Sequence, residues 1–436
     1  MQPGELIGPL EVGPVAHGGH CVARADGMVV FVRHALPGEL VRARVRDVTR
    51  RFARADAVEI VRASEDRVEP PCPVAGDCGG CDFQHVAPEF QAELKRRVLA
   101  EQLQRLAGIA WDGVVEQVPP LLGSRCRMRF VAGADGRLGL RAHRSHEVVP
   151  LPSEGCRLAH PAMPQQVRET ATDSTAPAPG ERAGRQNRSL FDEPVEYLGV
   201  VSAEGGRLVV AGSAASRGVL TQRVGARTFT VGVDGFWQSH TSAPEVLTAA
   251  VLDGLRPQAG ERAFDLYCGV GVFAGALVDA GCRVWGVEGN KAAIELAKGN
   301  VPQARFQAGA VERTLSRLPG RADLVVLDPP RTGAGQAVMA ALARLRPRAV
   351  AYVACDPAAL ARDLGFAAEH GYRASSIRAF DLFGMTHHLE AVAILVPEAL
   401  VGEQREDHGV TPAVLECQMR SEESFAVKPA SLGDPL

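Results

Sequence analysis

Short apolar runs alternate with amphipathic segments through the C-terminal half of the chain. The runs predict buried strands at 263–267, 283–287, 323–327, 349–354 and 391–396. Most of them are separated by segments whose apolar residues recur at helical spacing, beginning with a predicted helix over 244–255. Strand–helix alternation of this kind builds a mostly parallel, doubly wound sheet.

The first 65 residues follow a different pattern. Runs rich in Val, Ile, Leu and Phe predict short strands at 6–12, 28–32, 39–48 and 53–61, with Gly and Pro supplying the turns. Several short strands at regular spacing predict a small all-β barrel. Arg42, Arg44 and Arg46 alternate, so on a strand they would share one face, either to contact nucleic acid or to keep the barrel soluble.

The middle of the chain combines a predicted helix over 89–106 with predicted strands within 124–151 and 195–233. The segment 163–193 is rich in Gln, Ala, Pro, Ser, Thr and Arg, which predicts a mobile loop, and the polar tail after 397 is expected to be disordered. Because 436 residues are too many for one core, we expect several domains. Their predicted boundaries are 1–65, 66–235 and 236–397, with the tail at 398–436.

Charge alone does not indicate a nucleic-acid partner, because the formal net charge is −3. Its distribution is more informative, since arginines are concentrated between 124 and 146. Arg125, Arg127 and Arg129 alternate and would line one strand face, which suits phosphate contacts, although a solvated face explains them equally well.

No apolar run approaches the roughly 20 residues that span a bilayer, and the N-terminus lacks the basic and apolar regions of a signal peptide. We therefore expect a cytoplasmic protein without a membrane partner. We also expect it to act as a monomer.

Three of the ten cysteines lie close together, as Cys72, Cys78 and Cys81 in a Cys-x5-Cys-x2-Cys pattern. Clustered cysteines in an intracellular chain indicate metal binding rather than disulfides. The best candidate for a fourth ligand is Cys156. Four thiolates fit either a [4Fe–4S] cluster or a structural zinc, and unligated cysteines are the remaining alternative.

In the C-terminal half, the candidate ligand-binding residues lie at the ends of predicted strands. The segment 265–271 (Asp-Leu-Tyr-Cys-Gly-Val-Gly) follows one strand, and Glu288 ends the next. Glycines at such a turn allow close approach of a ligand, and the acid can bind a ribose diol, so the pair fits a nucleoside-bearing cofactor. Asp328-Pro329-Pro330 ends a third strand, and a plain strand-to-loop break would explain it too.

Cys355 follows the apolar run 349–354 and precedes Asp-Pro, which opens a helix. A thiol at this edge of an α/β sheet can be a nucleophile, whereas a lone cysteine is more often a packing residue. Glu390 starts the last apolar strand and could face the same cleft as a base, or form a surface salt bridge. His387 and His388 are expected to be structural.

Taken together, these motifs resemble the RNA uracil-5 methyltransferase family, specifically its members with an N-terminal TRAM domain and an iron–sulfur cluster that modify 23S ribosomal RNA. The resemblance covers nearly all of residues 1–397. It rests on the four cysteines, Phe236-Trp237-Gln238, the segment 265–271, Asp328-Pro-Pro-Arg331, Cys355-Asp-Pro, and the segment 386–390.

The resemblance implies a multi-domain fold: an N-terminal β-barrel (TRAM, OB-like), a central α+β domain and a C-terminal α/β Rossmann-like class I methyltransferase domain. It implies RNA as the partner, ribosomal RNA more than transfer RNA, with S-adenosylmethionine and a [4Fe–4S] cluster as cofactors. The implied roles are Cys355 as nucleophile, Glu390 as base, Gln238, Tyr267, Glu288 and Asp328 at the cofactor, Cys72, Cys78, Cys81 and Cys156 at the cluster, and Arg125, Arg127, Arg129 and Phe236 toward RNA.

Three positions depart from the family pattern. His240 stands where Asn is usual, and Val272 and Ala310 replace polar cofactor contacts found in many members. Two alternatives stay open: an N-methyltransferase acting on adenine or guanine, because Asp-Pro-Pro also suits amino-group transfer, and, from another class, a non-catalytic RNA-binding protein, which the three departures favour. The first leaves Cys355 and Glu390 without a role, because amino-group methylation needs no cysteine.

Overall fold

The structure is a computed structural model that describes residues 1–133, 136–166 and 195–400. Most of the predicted loop at 163–193, and the predicted tail from 401 on, lie outside the described residues. Within the predicted tail, Glu398–Leu400 forms a single 3₁₀ turn.

The N-terminal segment folds into one five-stranded sheet in the order β1-β4-β5-β3-β2. Its strands are β1 Leu6–Glu11, β2 Cys21–Ala25, β3 Met28–Arg33, β4 Leu40–Val48 and β5 Phe52–Arg62. In β4 the small and branched residues are buried and the alternating arginines are exposed, so the predicted shared face of Arg42, Arg44 and Arg46 is confirmed. The sheet therefore has one apolar and one charged face, on which Arg42 lies 3.6 Å from Glu59.

The predicted barrel is not closed, since no ladder joins β1 to β2 among the described residues. The edges meet only just after β1, where the amide of Gly13 donates to Val22 O and the amide of Val22 donates to Pro14 O. The sequence pattern missed β2, a strand of only five residues.

The central segment carries a long helix, a second five-stranded sheet and a separate hairpin. The sheet has the order β11-β10-β7-β8-β9, and β12 pairs with β13. The bounds are α1 Pro88–Ala107, β6 Val115–Gln117, β7 Arg127–Ala132, β8 Leu138–Arg141, β9 Val148–Pro150, β10 Val195–Ser202, β11 Gly205–Val210, β12 Val219–Val224 and β13 Arg227–Gly232.

The largest sheet has eight strands in the order β16-β15-β14-β17-β18-β20-β19-β6. Its remaining strands are β14 Arg262–Leu266, β15 Arg283–Glu288, β16 Arg305–Ala308, β17 Leu324–Leu327, β18 Ala349–Ala354, β19 Tyr372–Asp381 and β20 Glu390–Pro397. β14 to β18 are parallel, whereas β20 is antiparallel to both of its neighbours. The prediction of a mostly parallel sheet is confirmed, and the antiparallel strand makes the sheet mixed.

Helices cover this sheet and join it to the central segment. They are α2 Ala243–Leu255, α3 Val272–Asp279, α4 Lys291–Asn300, α5 Val311–Thr314, α6 Gln336–Leu345 and α7 Pro357–Glu369. α1 packs on α7, and β6 extends the sheet edge beside β19. The central segment thus contributes directly to the C-terminal core, and the predicted domain boundaries remain predictions.

No helix in the described ranges is long and apolar enough to cross a membrane.

Candidate active site

Two sequence-distant residues meet at one edge of the large sheet because β20 runs against β18. Ala354, the last residue of β18, is paired with Ala391 near the start of β20. If this register continues by one residue, Cys355, which follows β18, lies opposite Glu390, the first residue of β20. Their 35-residue separation along the chain therefore closes to adjacent strand ends.

Cys355 is held at the start of a helix. Asp356 caps α7, since its carboxylate accepts a hydrogen bond of 2.8 Å from the amide of Ala359, and Pro357 occupies the first helical position. Both are the residue types that favour a helix start. The half-buried thiol therefore lies between a buried strand and a fixed helix end.

Burial is the main cause of the raised pKa values at this edge. The pKa of Cys355 is raised to about 12, mainly by burial and in addition by the carboxylates of Glu390 and Asp328, while Arg331 opposes them. Burial, assisted by Asp328, also raises the pKa of Glu390 well above its usual range, and burial raises the pKa of Asp328 to about 7. The Cys355 thiol is therefore protonated at neutral pH, and ionisation of Glu390 is disfavoured.

A cavity of about 180 Å³ opens beside Cys355. Its walls come from three parts of the chain: the N-terminal loop His17–Gly19, helix α1 with Lys95, and the C-terminal residues Arg331, Cys355, His387 and His388. His17 Nε2 lies 3.1 Å from Asp356 Oδ2. A Cβ on Gly19 would come within 2.7 Å of the His387 Cβ, so the loop packs tightly against the site. We call this space the catalytic cavity.

The loop that leads to Glu390 is anchored by buried charges that sequence reasoning missed. Lys95 Nζ donates to Asp381 Oδ1 at 2.5 Å and to Phe383 O at 3.1 Å, and both charged side chains are fully buried. Asp82 Oδ2 lies 2.6 Å from His387 Nδ1. Burial opposes ionisation of Asp82, yet these contacts with His387 lower its pKa to about 2. The one signal was a lysine on the apolar face of the predicted helix.

The turn after β14 has the shape of a ligand-binding loop. Gly269 and Gly271 adopt positive φ values of 52° and 92°, and Tyr267 does so at 62°, where a side chain is strained. Glu288 accepts hydrogen bonds from the amides of Gly269 at 3.2 Å and Asn290 at 2.7 Å. Glu288 thus fixes the loop from the neighbouring strand.

Comparison with known proteins places the chain in a family. A TRAM domain model matches residues 9–58, and the model described as tRNA (Uracil-5-)-methyltransferase matches residues 227–397. A protein of Streptomyces avermitilis described as an uncharacterized RNA methyltransferase is 47% identical, over 89% of this chain and 98% of its own. The 23S rRNA (uracil(1939)-C(5))-methyltransferase RlmD of Shewanella piezotolerans is 31% identical, over 88% and 94%. This chain belongs to the RNA uracil-5 methyltransferase family.

The chain is therefore an enzyme, and the alternative of a non-catalytic RNA-binding protein is wrong. The solved tRNA (uracil-54, C5)-methyltransferase of Pyrococcus abyssi, in complex with S-adenosyl-L-homocysteine, superposes with a TM-score of 0.63 at 22% identity, over 88% of this chain and 99% of its own. That likeness confirms the class I methyltransferase fold.

Two of the family-pattern departures lie at defined positions in the fold. His240 is buried, lies with Nε2 3.3 Å from Pro120 O and accepts from the amide of Ser242 at the start of α2. Beside it, Trp237 is buried and Phe236 is 73% exposed. Val272 begins the α3 helix. The predicted cofactor role of Gln238 stays a prediction.

The three alternating arginines have different environments. Arg127 donates to three backbone carbonyls of the turn at 232–235, so its guanidinium has a structural role. Arg125 is half-buried, and its charge acts on Cys81 and Cys156. Arg129 is exposed and 3.7 Å from Glu196. Of the three, only Arg129 is exposed, and the predicted RNA-binding role of these arginines stays a prediction.

The four predicted metal ligands are free thiols that influence one another. Burial raises the pKa of Cys81 to about 12, and burial with neighbouring thiols raises those of Cys78 and Cys156. The amide of Gly80 donates to the Cys78 sulfur at 3.4 Å. Within the described part of the chain, no group of three or more His, Cys, Asp or Glu side chains is close enough to hold a metal ion.

Proposed function

We propose that this enzyme converts uridine to 5-methyluridine in 23S ribosomal RNA, with Cys355 as nucleophile and Glu390 as base. The observation that carries the proposal is the pairing of β18 with β20, which brings the thiol and the carboxyl to one sheet edge. Methylation of a purine amino group would leave both without a role.

The chemistry requires both groups because C5 of uracil is a poor nucleophile. Addition of the Cys355 thiolate to C6 forms a C–S bond and an enolate, so that C5 carries electron density. C5 then forms its bond to the methyl group, Glu390 takes the C5 proton, and elimination breaks the C–S bond and restores the ring. S-adenosylmethionine would supply the methyl group from its positively charged sulfonium, whose sulfur–methyl bond would break as S-adenosylhomocysteine leaves.

The raised pKa values of Cys355, Glu390 and Asp328 support a site that binds a cation. Cys355 must lose its proton before it attacks, and Glu390 must be ionised before it accepts one. A positive charge beside Cys355, Glu390 and Asp328 lowers all three pKa values, because an opposite charge favours the ionised form of an acid. The acid-rich edge therefore becomes reactive only when the methyl donor is bound.

We propose that Gln238, Tyr267, Glu288 and Asp328 hold S-adenosylmethionine. The support is the glycine loop fixed by Glu288 and the position of Asp328 at the adjacent strand end. The target uridine would enter the catalytic cavity from an unpaired segment of RNA, since a stacked base cannot reach the thiol. Exposed Phe236 would contact that RNA.

The relative from Shewanella piezotolerans favours ribosomal RNA as the substrate, because it is similar over nearly its whole length and its name specifies 23S rRNA. The family model that matches residues 227–397 carries a transfer RNA name, which makes tRNA uracil-5 methylation the second candidate.

We further propose that Cys72, Cys78, Cys81 and Cys156 hold a [4Fe–4S] cluster. The support is that Cys78 lies near enough to Cys72 and Cys156 for their charges to interact, that the amide of Gly80 donates to the Cys78 sulfur, and that Arg125 offers a compensating charge. Cluster binding would draw the four side chains together. Anaerobically purified protein should contain iron and sulfide and absorb near about 400 nm. Colourless protein that contains zinc would refute the cluster and support a structural zinc site.

Two variants test the catalytic assignment. Cys355→Ala should abolish 5-methyluridine formation on ribosomal RNA, and retained product would refute the role of the thiol. Glu390→Gln should slow turnover by roughly 10²- to 10⁴-fold and accumulate a covalent RNA adduct on denaturing gels. A Glu390→Gln protein that turns over slowly without an adduct would give Glu390 another role.

A further inference from the structure

A second cavity, much larger than the catalytic cavity, lies between the N-terminal sheet and the central segment. Its volume is about 670 Å³. Its basic and aromatic lining comes from His20, Arg33, Arg46 and Arg54 in the N-terminal segment and from His143 and Arg144 between β8 and β9. Four acids, Asp47, Asp56, Asp77 and Glu147, line it as well. We call it the junction cavity.

Three polar atoms at the junction cavity have no hydrogen-bond partner among the described residues. They are His20 Nε2, Arg33 Nε and His143 Nε2, and each atom is buried. His20 and Arg33 are each only 8% exposed. Buried polar atoms are nearly always paired, so three unpaired atoms on one cavity indicate a bound polar group.

The charges at the cavity favour a neutral polar ligand over a free anion. Arg46 and Arg33 lie 2.7 Å and 4.0 Å from Asp56, and Arg54 lies 3.1 Å from Asp47, so acids in the lining balance these cations. Burial lowers the pKa of His20 to about 4, so this ring is neutral at pH 7 and offers one donor or one acceptor.

A nucleobase matches these features. Its edge carries donors and acceptors, and its faces stack on aromatic rings, among which histidine serves in RNA recognition. His20 and His143 form an edge-to-face pair with ring centroids 5.9 Å apart. At the rim, Arg144 is exposed and makes no ion pair with a described residue, which suits a backbone phosphate.

Successive residues of one short loop line the two cavities. His17–Gly19 line the catalytic cavity, and the next residue, His20, lines the junction cavity. The carboxylate of Asp82 acts to raise the pKa of both His20 and His388. One charge therefore influences residues of both cavities. A single RNA strand that places a uridine beside Cys355 would pass over this loop.

We propose that the junction cavity binds a second nucleobase of the substrate RNA, a few nucleotides from the target uridine, through His20, Arg33 and His143. The inference rests on the proposed function, because it takes the target uridine to occupy the catalytic cavity. The junction cavity would then read sequence or loop shape around the target, while the catalytic cavity performs the chemistry.

The test uses the full chain and a 23S ribosomal RNA transcript. Ultraviolet cross-linking followed by mass spectrometry should identify a nucleotide attached to the peptide around 142–149, distinct from the one attached near Cys355. His143→Phe keeps an aromatic ring and removes both ring nitrogens. His146→Phe, on the same turn, is the matched control. We expect His143→Phe to raise the KM for RNA about five- to tenfold with kcat within about twofold, since one base contact is lost.

An abasic scan of the methylated RNA fragment completes the test. One flanking abasic position should weaken binding to the wild-type enzyme and have no further effect on His143→Phe. Methylation without any position coupled to His143, or equal effects of His143→Phe and His146→Phe, would overturn the inference and leave the proposed function intact. Cross-links at 142–149 without methylation of ribosomal or transfer RNA would overturn the proposed function and support an RNA site in this cavity.

Discussion

Removing the Asp328 charge should make Cys355 more reactive toward an alkylating agent while it lowers methyl transfer. Leu327 pairs with Tyr352, so Asp328 is level with Val353 and Cys355 lies two residues further along the neighbouring strand. With strands about 4.8 Å apart and a rise of about 3.3 Å per residue, the two residues are about 8 Å apart. Two unit charges at that distance interact by about 2 kcal/mol at an effective dielectric constant of about 20.

Solvent screening at the sheet edge reduces this interaction, so Asp328→Asn should lower the pKa of Cys355 by roughly 1 unit. Asp328 has a pKa of about 7 and is ionised at pH 9, whereas only about one Cys355 thiol in a thousand is ionised there. Iodoacetamide labelling of the Cys355 peptide at pH 9, followed by mass spectrometry, should therefore be roughly tenfold faster in Asp328→Asn. Asp253→Asn, an exposed site, is the charge-matched control. Unchanged or slower labelling in Asp328→Asn would refute the electrostatic account of the site.

Three other perturbations test how the catalytic cavity is held together. Lys95→Met leaves its partner carboxylate buried and unpaired, so thermal unfolding should show a loss of about 3–5 kcal/mol, and an unchanged midpoint would contradict the buried ion pair. Gly19→Ala places a methyl group 2.7 Å from the His387 Cβ, so it should lower kcat/KM more than Gly27→Ala, which has a similar φ and nothing within 4 Å; equal effects would exclude a role for this contact. Because the folded pKa of Asp82 is about 2, against a usual 3.8, its stabilisation of about 2 kcal/mol is present above pH 4 and lost as pH falls toward 2. In Asp82→Asn the free energy of unfolding should therefore fall less between pH 4 and pH 2 than in the wild type. The same loss in both proteins would refute the contribution of Asp82.

The sequence predicts the central strands of the large sheet well because they are buried on both faces. The predicted run 349–354 coincides with β18 Ala349–Ala354, all of whose residues are buried. β19 was missed because Arg373, Ser375, Ser376 and Arg378 interrupt its apolar pattern, and its strand character comes from pairing with β20. A strand that is defined by its neighbours leaves a weak signal in its own residues.

The candidate site, like the fold, could be predicted from the sequence only in part. Cys355, Glu390 and Asp328 could be chosen from the sequence because each follows or starts an apolar strand. Their proximity depends on β20 inserting antiparallel next to β18, and local patterns do not encode that pairing. His17 and Lys95 were missed because they come from parts of the chain that meet the site only in the folded structure.

The most direct test of the central claim is mass spectrometry of nucleosides after the anaerobically purified enzyme acts on unmodified 23S ribosomal RNA with S-adenosylmethionine, alongside Cys355→Ala. We predict a gain of 5-methyluridine with the wild-type enzyme and none with the variant. A methylated purine, or 5-methyluridine formed equally by Cys355→Ala, would contradict the account. Product on transfer RNA alone would keep the mechanism and change the substrate.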